Sequence, residues 1–160
     1  MSDPIEPDHV MERIGAAMAL GHAGDQTGAR AAFEAIWAEL GPDGDPFHRV
    51  AVAHSMADVQ DDVHEELRWD LLALEAADEL TDERVHAGGV TGPVAAFYPS
   101  LHLNLGEAYR KLRRLDLADD HAAAGLAATA ALPDDGYGRM IRGGLDALVE
   151  RIADDRASAG

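Results

Sequence analysis

The stretch Leu105-Gly106-Glu107-Ala108-Tyr109, followed by Ala118-Asp119-Asp120-His121-Ala122-Ala123-Ala124-Gly125, carries the strongest structural signal in this 160-residue chain. Small residues such as Gly106 and Ala118 allow two helices to approach closely, and a large side chain such as Tyr109 fills the groove between them. The stretch therefore predicts two helices joined by a short turn.

Residues 99–130 resemble a tetratricopeptide repeat, a helix–turn–helix unit with a period of ~34 residues. The residues that match this pattern are Leu105, Gly106, Tyr109 and Ala118. The departures are His102 at the usual Trp position, Ala122 at the usual aromatic position and Gly125 at a third small position. All three shrink the packing volume, so this is a degenerate version of the repeat.

Similar helix pairs are predicted upstream, because apolar residues recur there at the spacing of one helix face. We predict six helices in three pairs, at residues 8–21, 26–40, 47–60, 63–79, 99–113 and 116–131. A final helix at 137–153 has a continuous apolar stripe, which suits the terminal cap that a stack of repeats requires.

The resemblance implies an all-α fold, in which antiparallel helix–turn–helix repeats stack as a short right-handed superhelix with a C-terminal capping helix. This single domain would cover residues 9–153, after a disordered lead-in at 1–8 and before a frayed tail at 154–160. An insertion at 81–98 interrupts the period, and its Gly-rich run is the most flexible-looking part of the chain. It is either a disordered crossover or a functional segment.

The amino-acid composition excludes several classes of function. The chain has 13 basic and 30 acidic residues, a net charge of −17, which disfavours binding to nucleic acid or to an anionic membrane surface. With no cysteine, disulfides and thiolate metal sites are excluded. The acidic start lacks the features of a signal peptide, so we expect a cytoplasmic protein. Twelve of the 13 basic residues are Arg, which favours a bacterial source.

The resemblance also implies a concave groove lined by the first helix of each repeat, where a peptide or partner protein would bind. The residues predicted to line it are His54, Asp58, Leu103, Asn104, Glu107, Arg110 and Lys111. Phe47 and Leu103 would give apolar contacts. The function expected from this surface is a non-catalytic binding scaffold, with no cofactor and no metal ion.

The chemistry of that partner is suggested by the distribution of charge. Residues 1–62 carry 3 basic and 12 acidic side chains, whereas residues 100–160 carry 8 and 10. Asn104 with Arg110 resembles part of a clamp that holds an acidic group or a C-terminal carboxylate, and Lys111 would add to the polar anchoring. The alternative interpretation is structural, because basic residues near a helix C-terminus are also favoured by the helix dipole.

A second hypothesis is an enzyme, or a protein that binds a small ligand or a metal. His54 and Asp58 share a helix face, and His102 could approach them to form a pocket closed by residues 85–98. The structural alternative is an ordinary helix pair at His54 and Asp58, with His102 replacing a half-buried Trp. A third hypothesis is a homodimer formed through an exposed apolar stripe on the capping helix.

Overall fold

The computed structural model describes residues 7–160, and throughout this range the regular structure is helical. The α-helices are α1 (His9–His22), α2 (Gln26–Leu40), α3 (Pro46–Asp58), α4 (Val63–Ala77), α5 (Asp82–Ala87), α6 (Tyr98–Lys111), α7 (Leu115–Ala127) and α8 (Gly136–Ser158). The all-α prediction is confirmed. Most of the predicted lead-in, residues 1–6, lies outside the described range. None of the described helices combines the length and apolarity needed to cross a bilayer.

Local sequence sets where most of these helices begin. In each case a side-chain carboxylate accepts a hydrogen bond from a free backbone N–H of the first turn, which stabilises the helix start. The capping residues of this kind are Asp8, Asp25, Asp45, Asp62 and Asp135. Thr81 caps α5 in the same way. These caps explain how a short, Ala-rich chain specifies the start of so many helices.

The helices form three hairpins, α1/α2, α3/α4 and α6/α7, and consecutive hairpins pack on one another. α2 contacts α3, and α4 contacts α6 although the insertion separates them in sequence. In the first half, the rings of Trp37 and Trp69 meet edge to face, with centroids 5.1 Å apart, and so connect α2 with α4. The result is a continuous stack of helix pairs, as the sequence predicts.

The insertion contains more regular structure than its composition indicates, with α5 followed by a 3₁₀ turn at Val94–Phe97. Val85 is fully buried. The Arg84 guanidinium donates to Asp45 Oδ2 over 2.6 Å and lies 4.6 Å from the centre of the Phe47 ring. Because Asp45 also caps α3, the insertion is fastened to the start of that helix.

The final helix is longer than predicted, since α8 continues to Ser158, beyond the expected end at residue 153. Its apolar stripe packs against α6 and α7. The buried members of that stripe are Ile141, Leu145, Leu148 and Ile152. The stripe is therefore not free to form the predicted dimer; Tyr137, Met140 and Val149 are the exposed large apolar residues of α8.

Gly106 lies where α6, α7 and α8 meet. A Cβ added there would come within 2.5 Å of Leu148 Cδ2, and the nearest backbone atom, Ala118 O of α7, would be 3.5 Å away. The sequence predicts that Gly106 allows the second helix of its own pair to approach. In the structure the closer approach is that of the capping helix.

We expect Gly106→Val to lower the free energy of unfolding by roughly 1–3 kcal/mol, because the added side chain forces Leu148 and α8 to shift. Urea unfolding followed by circular dichroism measures the change.

Gly143→Ala is the matched control. A Cβ at Gly143 meets no atom within 4 Å, so alanine in this helical position should raise stability by about 0.5–1 kcal/mol. Equal effects of the two substitutions would contradict the close packing at Gly106.

Candidate functional site

The first helices of the stack and the insertion line an open cavity of about 310 Å³, which we call the apolar pocket. Its walls come from α1 and α3, from the insertion, and from the start of α6 and of α8. The principal lining residues are Met11, Ile14, Met18, Phe47, Val50, Ala51, His54, Leu80, Val90, Phe97, Leu101 and Tyr137. Ser55 and Ser100 complete the lining. The pocket is thus almost wholly hydrophobic, and its lining includes Phe47 and His54, two of the residues predicted for the groove.

A second cavity of about 100 Å³ continues along α1 and α3, and we call it the polar end. It shares Met18 and Ser55 with the apolar pocket. Its other lining residues are Gly21, His22, Gln26, Phe33, Asp58 and Val59. The two cavities are therefore adjacent, and we call them together the groove. Its lining changes from apolar to polar toward the C-terminal ends of α1 and α3.

His54 and Asp58, both predicted for the groove, lie along it at different points. His54 lines the apolar pocket, and its Nδ1 is 3.5 Å from Asn104 Nδ2 of α6. Asp58 lines the polar end. Although solvent reaches Asp58, partial burial raises the pKa of its carboxyl, and the nearby His54 and His22 counteract that rise.

Gln26 contributes an unusual atom to the polar end. Its Nε2 donates to the carbonyl oxygen of Gly21 over 3.3 Å, and its Oε1 is buried without a hydrogen-bond donor. Because a carbonyl oxygen can only accept, this contact fixes which end of the amide faces Gly21. The free acceptor is thus a property of the site.

The predicted clamp residues on α6 are engaged within the chain. Arg110 donates to Glu107 and, over 2.9 Å, to Asp155 of α8, while Arg151 donates to the other oxygen of Glu107. Lys111 Nζ lies 3.2 Å from both carboxylate oxygens of Glu66. The clamp for a carboxylate remains a prediction, but its cationic groups already have partners.

Leu103, predicted as an apolar contact for a partner, faces α8. A Cβ on Gly144 would come within 2.9 Å of Leu103 Cδ2, so the leucine fills the space beside that glycine. It packs with the buried residues of α6, α7 and α8. The capping helix therefore occupies the part of the groove that the third hairpin was expected to offer.

His102 does not join His54 and Asp58. Its Nδ1 is 3.0 Å from His121 Nδ1 of α7, and the two rings stack with centroids 5.3 Å apart. Partial burial lowers the pKa of both histidines, and their proximity lowers that of His102 further. Among the residues that the structure describes, no group of three or more His, Cys, Asp and Glu side chains is placed to hold a metal ion. The predicted three-residue pocket is not assembled.

Sequence reasoning missed Asp70, the most unusual polar residue of the molecule. It lies on α4 and is 2% exposed, and neither carboxylate oxygen has a hydrogen-bond partner. Burial, together with the neighbouring carboxylates of Glu66 and Asp58, raises the pKa of Asp70 to about 8. A carboxyl in this state is largely protonated at neutral pH.

The position of Asp70 in the repeat could have revealed it. The eighth residue of the second helix is Phe33 in α2, Asp70 in α4 and Ala122 in α7, and all three are buried. An acid therefore occupies a core position that is apolar in the other two hairpins.

In comparisons with protein-family models, with curated proteins and with solved structures, no match to this chain was found.

The ion pairs of Arg110 give a prediction about stability. We expect Arg110→Ala to lower the free energy of unfolding by about 1 kcal/mol, because it removes partly buried bonds that join α6 to α8. Thermal and urea unfolding measure the loss. Arg139→Ala is the control, since Arg139 makes only an exposed contact with Asp134 at 3.8 Å, and it should change stability by less than about 0.5 kcal/mol. Equal effects would show that Arg110 does not hold α8.

Asp70 makes stability depend on pH. Its pKa is about 8 in the folded chain against an ordinary value of 3.8, so across that interval the folded state holds a proton that the unfolded state releases. Protonation of Asp70 therefore stabilises the folded state. This stabilisation is complete below about pH 4 and is lost as pH rises through about 8. The slope is at most about 1.4 kcal/mol per pH unit.

Asp70→Asn cannot titrate at this position, so its stability lacks this pH dependence. Urea unfolding at pH 5.5 and pH 7.5 measures the free energy of unfolding of both proteins. The variant should be more stable relative to wild type at pH 7.5 than at pH 5.5. A difference that stays constant with pH would contradict the raised pKa.

Proposed function

We propose that this protein is a non-catalytic, tetratricopeptide-like binding protein whose concave groove takes an apolar side chain of a peptide or partner protein. The observation that carries the proposal is the apolar pocket, which lies between the first helices of the stack. Exposed hydrophobic concavities of this kind are characteristic of binding sites.

The chemistry of the lining supports binding through hydrophobic contact. Met11, Met18 and Phe47 provide adaptable or aromatic surface, and methionines are well suited to partners of varied shape. The volume of about 310 Å³ is near the lower limit of the ~300–1,000 Å³ range of small-molecule pockets. It suits one anchoring side chain better than a large cofactor.

The contact surface proposed here differs from the one predicted on α6. Binding would centre on α1 and α3 instead of on Asn104, Arg110 and Lys111. The last two have internal partners, Asp155 for Arg110 and Glu66 for Lys111, and breaking those pairs would offset much of what a bound carboxylate could gain.

A small apolar ligand is the second candidate function. The observation that favours it is that Val90 and Phe97 of the insertion and Tyr137 of α8 also line the apolar pocket, so that its wall extends beyond α1 and α3. His54 and Tyr137 are the titratable side chains of the lining. Neither forms part of a nucleophile–base pair among the hydrogen bonds of the described chain, so the case for this candidate is one of binding.

We test the proposal with capped nine-residue peptides of Gly and Ser that carry one Phe, one Leu or no apolar residue. Titrations of ¹⁵N-labelled protein followed by NMR should show the Phe and Leu peptides shifting amides of α1 and α3. Ala51→Trp should abolish this binding, because Ala51 lines the pocket and the indole would fill it.

The matched control is Ala123→Trp, which adds the same side chain at an exposed position of α7. It should bind like wild type. N-acetyl-phenylalaninamide separates the two candidates, since equal affinity for this small molecule and for the Phe peptide would favour the small ligand. Binding that survives Ala51→Trp would remove the pocket from both.

A further inference from the structure

We infer that the groove recognises a peptide segment carrying a cationic side chain about three residues from a large apolar one. The apolar side chain enters the apolar pocket, and the cation lies at the polar end beside Asp58. This inference rests on the proposed function and adds to it the charge of the partner, which is opposite to the charge that the sequence suggests.

The two cavities are adjacent, as such a segment requires. Met18 of α1 and Ser55 of α3 line both of them. Along α3 the lining changes from Phe47 and Val50 to Asp58 and Val59. One extended segment can therefore contact both regions at once.

The polar end offers a ligand a carboxylate. Asp58 lines this cavity and is exposed. The unpartnered Oε1 atom of Gln26 is buried and out of a ligand's reach. Arg and Lys side chains carry several N–H donors, and their hydrogen bonds to a carboxylate are strengthened by charge.

The distribution of charge along the chain also favours a cationic partner. The polar end is built from α1, α2 and α3. Positions 1–62, which contain these helices, carry 3 basic and 12 acidic residues. A cationic segment is attracted to this surface, and an anionic one is repelled.

The spacing follows from helix geometry. Ala51 in the apolar pocket and Asp58 at the polar end are seven residues apart on α3, which corresponds to roughly 10 Å at 1.5 Å per residue. An extended peptide covers that distance in about three residues, at ~3.3 Å each. The preferred partner therefore has its Arg or Lys about three positions from its Phe, Leu or similar residue.

The experiment uses the same nine-residue host peptides with one Phe and, three positions away, Arg, Gln or Glu. Dissociation constants are measured by NMR titration at pH 7.5 in 50 mM salt for wild type, Asp58→Asn and Glu34→Gln. Each variant removes one negative charge. Glu34 is an exposed residue of α2 that lines neither cavity, so it controls for the overall field.

Wild type should bind the Arg peptide about tenfold tighter than the Gln peptide, and the Glu peptide most weakly. Asp58→Asn should reduce the tenfold preference to less than about threefold, while Glu34→Gln retains it. Raising the salt to 500 mM should weaken the preference without abolishing binding of the Gln peptide. Melting curves for both variants confirm that they are folded.

Two outcomes overturn the inference but leave the proposed function intact. One is equal binding of the Arg, Gln and Glu peptides to wild type, with that binding still lost in Ala51→Trp. The other is an Arg preference that Asp58→Asn does not change, which would place the cation elsewhere. If none of the peptides binds wild type, both the inference and the proposed function are overturned.

Discussion

The docking of α8 onto α6 is the contact on which the rest of the C-terminal half depends. It needs the absence of a side chain at Gly106 and Gly144, so that Leu148 and Leu103 can occupy the space between the helices. It also engages Arg110 and Glu107 in ion pairs with Asp155 and Arg151. Because α8 covers part of α6 and α7, the two cavities of the groove lie instead along α1 and α3.

Asp70, unlike the contacts of α8, lowers the stability of the fold, because it places a polar group in a core position. The first hairpin has Phe33 at the equivalent position and the third has Ala122, both of which suit a core. An unpartnered buried carboxyl costs stability, and the charges of Asp58 and Glu66 help to keep it protonated. The second hairpin therefore has an acid in its core, and its helix α3 also carries Asp58 of the polar end.

Much of the fold could be predicted because its determinants are local. Apolar residues repeat at helical spacing within each segment. Asp25 and Asp62 each cap a helix by accepting a hydrogen bond from a backbone N–H no more than three residues further along the chain. The predicted span of α2, residues 26–40, agrees with the structure, and the others differ by a few residues at their ends. The Gly-rich insertion was harder, because α5 is stabilised by the distant contact between Arg84 and Asp45.

The candidate site was predicted less well because its contacts join residues far apart in the chain. His102 is of a residue type that is common in functional sites, yet its hydrogen-bond partner is His121 of the next helix. Arg110 looks available in sequence, and only the path of α8 brings Asp155 to it. Phe47, His54 and Asp58 were predicted from the repeat register, and they line the two cavities. The contribution of Val90, Phe97 and Tyr137 could not be read from that register.

The insertion has a further consequence for how the molecule assembles. Each hairpin closes through a turn of three or four residues, whereas α4 and α6 meet only after the chain closes a loop over residues 78–97. Relative to a four-residue turn, this closure costs roughly 1.4 kcal/mol more in chain entropy. The apolar pocket takes its walls from both sides of this junction, with Phe47 from one and Leu101 from the other. It therefore exists only in the fully assembled chain, and a bound ligand would strengthen the junction that costs most to form.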